Sequence, residues 1–295
     1  MSNLQANLCW KIGDVTVTRV VEHSASLPAS GFFSAATHEQ LEKHAEWLKP
    51  WSLDDDDKLT ISIHALCVES EGRKIVVDTC VGQRPLPDPY SALANDGAFL
   101  AALTDAGFAP ETVDTVICTH MHFDHVGWNT IFVDGKWVPT FPKARYLMAQ
   151  REYDHWIAAS EEERFAASAI TFDDAVLPLF DAGVVDLVEV DHQVTGDVAL
   201  EHTPGHTPGH VSVRIRSQGE VAIITGDCMH HAVQLAEPTW HLHVDTDPHE
   251  STATRQRIVA ECCDQPVLVI GTHFPPPTAG HVVSTPDGAR FQPLA

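Results

Sequence analysis

The chain is 295 residues long and 44% hydrophobic, with 18 basic against 41 acidic side chains and a formal charge of −23 at pH 7. That length is ample for one large buried core, and no composition shift marks a linker, so residues 1–295 are expected to form a single domain. The acidic excess opposes a polyanionic partner, because nucleic-acid affinity depends on many Lys and Arg contacts to phosphate. Small-molecule partners are expected instead, with no nucleic acid and no membrane: no apolar run approaches the roughly 18 residues of a membrane helix. Met1–Asn7 lacks a basic segment followed by an apolar one, so a cytoplasmic location is expected. The seven cysteines are odd in number and show no C-x-x-C spacing, which suits a reducing compartment.

In chain order, a strand pattern over Val15–Val21 is followed by residues 22–58, where Leu27, Phe32, Phe33, Trp47 and Trp51 lie in a stretch with little strand pattern. This segment reads as a lid or a dimer-facing arm or as plain core packing, with a helix over Glu39–Trp47. A homodimer built on residues 1–58 is therefore one expectation. The Asp54–Lys58 acidic run is a solvated loop. Strands over Leu59–Val68 and Lys74–Asp78, a helix over Phe99–Ala106 and a strand over Val113–Thr119 come next. Helices over Gln150–Ala159 and Glu162–Ser168, with Trp156, Phe165, Phe172 and Phe180, read as a packed hairpin. Strands over Val198–His202, Val211–Arg216, Val221–Thr225 and Val267–Gly271 follow, with a helix over Ser251–Cys263 before the last. Early and late strands with helices between them predict an α/β fold of two sheets covered by helices on their outer faces.

The most informative stretch is Thr119-His120-Met121-His122-Phe123-Asp124-His125, directly after an apolar strand. Imidazole and carboxylate are ligands that borderline divalent ions such as zinc prefer. Where the strand turns into a loop, His120 and His122 project to one side and hold one ion, while Asp124 and His125 reach a second. His206, in the loop Thr203-Pro204-Gly205-His206-Thr207-Pro208-Gly209-His210, would complete a three-histidine ion. Asp227 follows a strand and Gly226, where its two oxygens can bridge a pair of cations, and His273 follows another strand to complete the second ion. Trp128, just past the cluster, is expected at the pocket mouth. His38, His44, His155, His192 and His202 read as ordinary solvated or core histidines.

Together, the H-x-H-x-D-H block at 120–125, the T-P-G-H-T-P-G-H block at 203–210, Gly226-Asp227 and Gly271-Thr272-His273 resemble the metallo-β-lactamase fold superfamily in its dinuclear hydrolase branch. Within that branch they resemble quorum-quenching lactonases and methyl-parathion-type hydrolases. The resemblance implies a four-layer αββα sandwich, two mixed β-sheets flanked by helices, with metals at the strand ends. It implies that His120, His122 and His206 bind one ion and Asp124, His125 and His273 the other, with Asp227 bridging and His210 supporting the loop. The cofactors implied are two divalent ions, Zn2+ above all, with Mn2+, Co2+ and Fe2+ able to share such ligands.

The chain departs from other branches of the family. Binuclear β-lactamases usually carry cysteine where Asp227 stands, and flavin-linked diiron reductases carry glutamate where His122 stands. The similar lactonases place a tyrosine near position 230; here it is His230, followed by His231. The implied activity is opening of lactone or carboxylic-ester bonds by a hydroxide shared between the ions, as in an N-acyl homoserine lactonase. Asp124 would shuttle a proton to the leaving oxygen, and His230, Phe32, Phe33 and Trp128 would contact substrate. The alternatives are an organophosphate triester hydrolase, a glyoxalase II-like thioesterase, for which Arg255, Arg257 and Arg290 are a thin recognition patch, and a metal-binding scaffold without catalysis.

Overall fold

The structure, a computed structural model, describes residues 7–93, 97–159 and 166–294. Its first sheet contains β1 (Cys9–Ile12), β2 (Val15–Pro28), β3 (Lys58–Ser70), β4 (Arg73–Val77), β5 (Thr115–Cys118), β8 (Arg145–Ala149) and β9 (Val185–Val188), in that spatial order. A separate hairpin pairs β6 (Thr130–Val133) with β7 (Lys136–Pro139). The second sheet runs β10 (Val198–His202), β11 (Val211–Ser217), β12 (Glu220–Ile224), β13 (Val267–Ile270), β14 (Ala279–Thr285) and β15 (Gly288–Pro293). Both sheets are mixed: β4, β5, β8 and β9 pair in parallel, as do β12 and β13, and the remaining pairings are antiparallel.

Alternation along the strands builds the layers, because successive side chains point to opposite faces. Ile75 and Val77 of β4 enter the core between the sheets, where they join Ile117, Leu147, Val213, Ile215, Ala222 and Ile224. Val76, with Val116, Tyr146 and Met148, faces the other way into a core under helices. Beside the hairpin end of β2 and β3 lie α1 (Ala29–Phe32), α2 (His38–Glu42) and α3 (Ala45–Leu48). The outer face of the first sheet is covered from α4 (Ala98–Asp105), α6 (Gln150–Ala159), α7 (Ala166–Ala175) and α8 (Leu177–Asp181), while the short α5 (Phe123–Val126) lies within the ligand cluster. On the second sheet, Ile223, Val269, Val282 and Phe291 pack against α9 (Val233–Ala236) and α10 (Pro248–Cys262). Asp247 starts α10 by accepting hydrogen bonds from the His249 and Glu250 backbone N–H groups, with Pro248 in the first turn. The αββα sandwich expected from the sequence is what this layering forms.

Residues 22–58 differ from their sequence reading. β2 continues to Pro28, in register with β3 back to Lys58, so the first part of this segment is a hairpin extension. Its His23-Ser24-Ala25-Ser26 run carries little apolar signal, and the backbone ladder outlasts the apolar pattern. The expected helix over Glu39–Trp47 is split into α2 and α3. Of the helix expected over Glu162–Ser168, residues 162–165, Phe165 included, lie outside the described residues, and α7 begins at Ala166.

Candidate metal centre and substrate pocket

The ligand candidates come together at the ends of parallel strands from both sheets. β5 delivers His120, His122, Asp124 and His125; β12 delivers Asp227; β13 delivers His273; and the loop between β10 and β11 delivers His206. They fall into two groups, His120, His122, His206 and Asp227, and Asp124, His125 and His273, with ligand atoms inside each group within 4.8 Å of one another. One Asp227 oxygen lies 3.8 Å from His120 Nε2, 3.5 Å from His206 Nε2 and 3.2 Å from His125 Nε2. Its other oxygen lies 3.1 Å from His273 Nε2, so the carboxylate spans both groups.

The hydrogen bonds on the far side of the rings take up one N–H apiece and turn the other nitrogen toward the centre. His206 Nδ1 donates to Asp245 at 2.8 Å, His125 Nδ1 to Asp78 at 2.9 Å and His273 Nδ1 to the Ser62 carbonyl at 3.0 Å. The Thr119 hydroxyl donates to Asp78 at 2.8 Å, so at 3.1 Å it accepts from His120 Nδ1. In the neutral form that a metal requires, with the one N–H spent on this far-side bond, each of the four rings presents its Nε2 lone pair to the centre. These face each other and Asp227 at close range, His206 Nε2 lying 2.8 Å from His122 Nδ1 and His125 Nε2 3.3 Å from His273 Nε2. Imidazole nitrogens that converge on one another and on a buried carboxylate, each ring backed on its far side by an acceptor, form a donor set that fits divalent metal. Carboxylate and carbonyl partners behind ligating histidines are also what orients them in metal sites.

The electrostatics divide the histidines into two pairs. Burial drives His120 and His122 well below the usual imidazole range, so both remain neutral ligands. Burial acts the same way on His125 and His273, but the Asp227 and Asp124 carboxylates outweigh it and raise both. The site therefore draws positive charge toward itself. Asp245 is held down at about 2: burial opposes this, but the hydrogen bond from His206 and the nearby Arg255 guanidinium are among the interactions that outweigh it.

Local backbone geometry explains the positioning. Gly226 has φ +55°, and a Cβ there would lie 2.5 Å from His210 Nε2. That close approach lets His210 Nε2 accept from the Asp227 N–H at 2.8 Å while its Nδ1 donates to the Thr203 carbonyl. His210 thus holds Asp227 in place between the two ligand groups. Gln234 does the same for the next turn, its Oε1 accepting from the His230 and His231 N–H groups. His231 is fully buried, stacked near Trp51 and pushed down to about 3 by burial, which makes it a core residue.

A cavity of about 440 Å³ opens onto the cluster. One wall is apolar and comes from the hairpin extension and α1: Leu27, Phe32, Ile61 and Ile63. Tyr90, Leu93 and Phe123 form a second wall, and Leu242 and Val244 a third. Asp124, Asp227 and His230 lie at the floor, and no Lys or Arg is among the described lining residues. His230 stacks on His273, with ring centres 5.8 Å apart, and meets the Phe32 ring edgewise at 6.0 Å.

Two of the residues expected to contact substrate, Trp128 and Phe33, are not among the lining residues of this cavity. Trp128 is fully buried, packs near Phe99 and donates its indole N–H to Glu22 at 2.6 Å, so the short helix after the cluster turns it into the core. Phe33 is also fully buried and packs toward Trp240, because α1 ends at Phe32 and the chain turns extended at Phe33. Phe32, its neighbour, lines the cavity.

Sequence reasoning missed Asp78, Asp245, Glu152, Glu22 and Tyr90. Asp78 alone had a signal, an acid directly after a buried strand, as Asp227 has; the others are single residues without local pattern.

The profile of the metallo-beta-lactamase superfamily matches residues 61–261, which contain every ligand candidate except His273. The chain belongs to this superfamily. An N-acyl homoserine lactonase from a Bacillus species is 27% identical over 186 residues, covering 57% of this chain and 63% of that relative, so the match spans about three-fifths of the relative's length. Among solved structures, the hydrolase AbOPH superimposes with a TM-score of 0.82 at 24% identity, over 100% of this chain and 99% of that one. AidC, a dizinc quorum-quenching lactonase solved with a product N-hexanoyl-L-homoserine, gives 0.83 at 20% identity over the same shares. These likenesses show a shared fold over the full chain. No helix among the described residues is long and apolar enough to cross a membrane.

Proposed function

We propose that this protein is a two-metal hydrolase that opens uncharged lactones or carboxylic esters bearing an apolar acyl group. The observation that carries the reading is the cavity: apolar walls without a cationic side chain converge on the two ligand groups. Such a lining favours an uncharged, greasy substrate and offers nothing to the carboxylates of a glutathione thioester. The similarity to N-acyl homoserine lactonases supports the same class. Two bound divalent ions, with zinc favoured by the histidine-rich donor set, would supply Lewis acidity and an activated water at neutral pH.

The chain's own groups divide the remaining work. Asp124 is partly exposed on the cavity floor, with its oxygens 3.7 Å from His125 Nε2 and 3.6 Å from His273 Nε2. It takes the proton released when water adds to the carbonyl carbon and passes it to the leaving alkoxide as the C–O bond breaks, and a ring-opened lactone keeps that alkoxide tethered nearby. His230, lowered by burial and so neutral, orients the substrate by hydrogen bonding, its ring held between Phe32 and His273. Phe32 and the hairpin extension hold the acyl group, and α1 acts as the lid over that side.

The test is the initial rate of zinc-reconstituted protein on an acyl homoserine lactone, an aromatic ester, S-lactoylglutathione and a phosphotriester at matched concentrations. The lactone or ester is expected to exceed the thioester by at least about tenfold in kcat/KM, the effect of about 1.4 kcal/mol of differential binding. A thioester or phosphotriester turned over fastest would sink the reading, as would rates no higher than those of metal-free protein.

A further inference from the structure

Glu152 lies in the first turn of α6, is 1% exposed, and makes four hydrogen bonds outside the ligand set. Oε1 accepts from the Met121 N–H at 3.1 Å and the Trp156 indole N–H at 2.7 Å. Oε2 accepts from the Thr207 hydroxyl at 2.7 Å and the Gly209 N–H at 3.1 Å. Met121 lies between His120 and His122. Thr207 follows His206, and Gly209 precedes His210, which in turn holds Asp227. One carboxylate thus ties together the segments that carry His120, His122 and His206, and through His210 it also reaches Asp227.

The geometry of the partners makes this exacting. Three are N–H donors that cannot reverse, two on Oε1 and one on Oε2, so both oxygens must accept. An amide in place of the carboxylate would turn its NH2 against at least one of these N–H groups. The helix also approaches the loop so closely that a Cβ on Gly209 would lie 2.1 Å from the Glu152 nitrogen, so glycine at 209 is a condition of the contact. A buried carboxylate with four donors is costly to disturb, because any donor left without an acceptor keeps its full desolvation cost.

We propose that Glu152 is a positioning residue that pre-sets the two ligand-bearing loops, so that His120, His122 and His206 are aligned before an ion arrives. The inference rests on the reading that these residues hold metal. Its consequence is selective: loss of the carboxylate weakens the ion held by the first group and spares the one held by Asp124, His125 and His273.

The experiment is a titration of metal-free protein with zinc in competition with a chromophoric chelator, resolving two binding steps, for the parent, Glu152→Gln and Thr207→Val. Thr207→Val removes one of the four bonds and leaves the carboxylate in place, which keeps the test available should Glu152→Gln fail to fold. For Glu152→Gln one step is expected to weaken by about 10- to 100-fold, the range typical of groups that orient ligands, and the other to stay within about twofold. Thr207→Val should weaken the same step by a smaller factor. Unchanged affinities, or equal weakening of both steps with a lowered melting temperature, would overturn the proposal and leave Glu152 a packing residue. A parent that binds no zinc would overturn the metal reading itself, a distinct outcome.

Discussion

The ligand cluster and the cavity walls occupy the same end of the molecule but are built in opposite ways. Each ligand group comes from short motifs at strand ends, held by carboxylates such as Asp78 and Asp245. The walls come from β2, α1, β3, the 89–93 loop and the 242–244 loop, segments distant in sequence that meet only in the folded chain. Metal chemistry needs few atoms at fixed spacing, whereas specificity needs a surface. Substitutions in the cluster should therefore remove activity outright, and substitutions in the walls should redirect it.

The largest effect is expected at the residue that joins the two ligand groups. Asp227→Ala should lower turnover by more than about 10³-fold and cost at least one metal equivalent, read by elemental analysis beside initial rates. Retention of both ions and of activity would break the contrast at its strongest point.

Glu22 tests the support beneath the cluster. It bulges from β2 and accepts hydrogen bonds from Trp128 and from the Val81 and Gly82 N–H groups, yet burial raises it to about 7 from an ordinary 4.5. A carboxyl raised on folding favours the protonated state, so its contribution is full below the unfolded value and is lost as pH rises through about 7. Relative to Glu22→Gln, the metal-free parent should lose about 3 kcal/mol of stability between pH 4.5 and pH 8, measured by denaturant unfolding. A gap independent of pH would show that the three donors hold the ionised form.

On the boundary between the regions, His230→Ala should reduce kcat by about 10- to 100-fold, the scale of a lost hydrogen bond to developing charge, while metal content stays at the parent value. Loss of an ion would move His230 into the cluster. The smallest effect belongs to the wall. Phe32→Ala should raise KM for long-acyl substrates by about tenfold and change short-acyl ones by less than about twofold, since it removes only apolar contact. An equal effect on both would place Phe32 in support of His230, whose ring it touches.

The same contrast explains what was legible in the sequence. The layered fold could be read because buried strands such as Val221–Thr225 and Val267–Gly271 are nearly all apolar, and most of the ligand candidates because they come soon after such a strand, with His206 marked instead by the Gly/Pro block at 203–210. Polar strand ends such as His23–Ser26 were not legible, since only the backbone ladder defines them. Neighbouring residues Phe32 and Phe33 look alike in sequence, and which one faces the cavity depends on how α1 sits against Trp240. Trp128 looks like a cavity residue by proximity to the cluster, but a buried acid from β2 captures its indole. Glu152 and Asp245 act through partners about 30 to 57 residues away, a separation that no local pattern encodes.

The central claim is that the converging lone pairs hold two divalent ions spanned by Asp227. Anomalous diffraction at the zinc edge from crystals of zinc-reconstituted protein tests it most directly. Two peaks, one among His120, His122 and His206 and one among Asp124, His125 and His273, with Asp227 reaching both, are the predicted result. A single peak, or none, from protein that hydrolyses the lactone would contradict it.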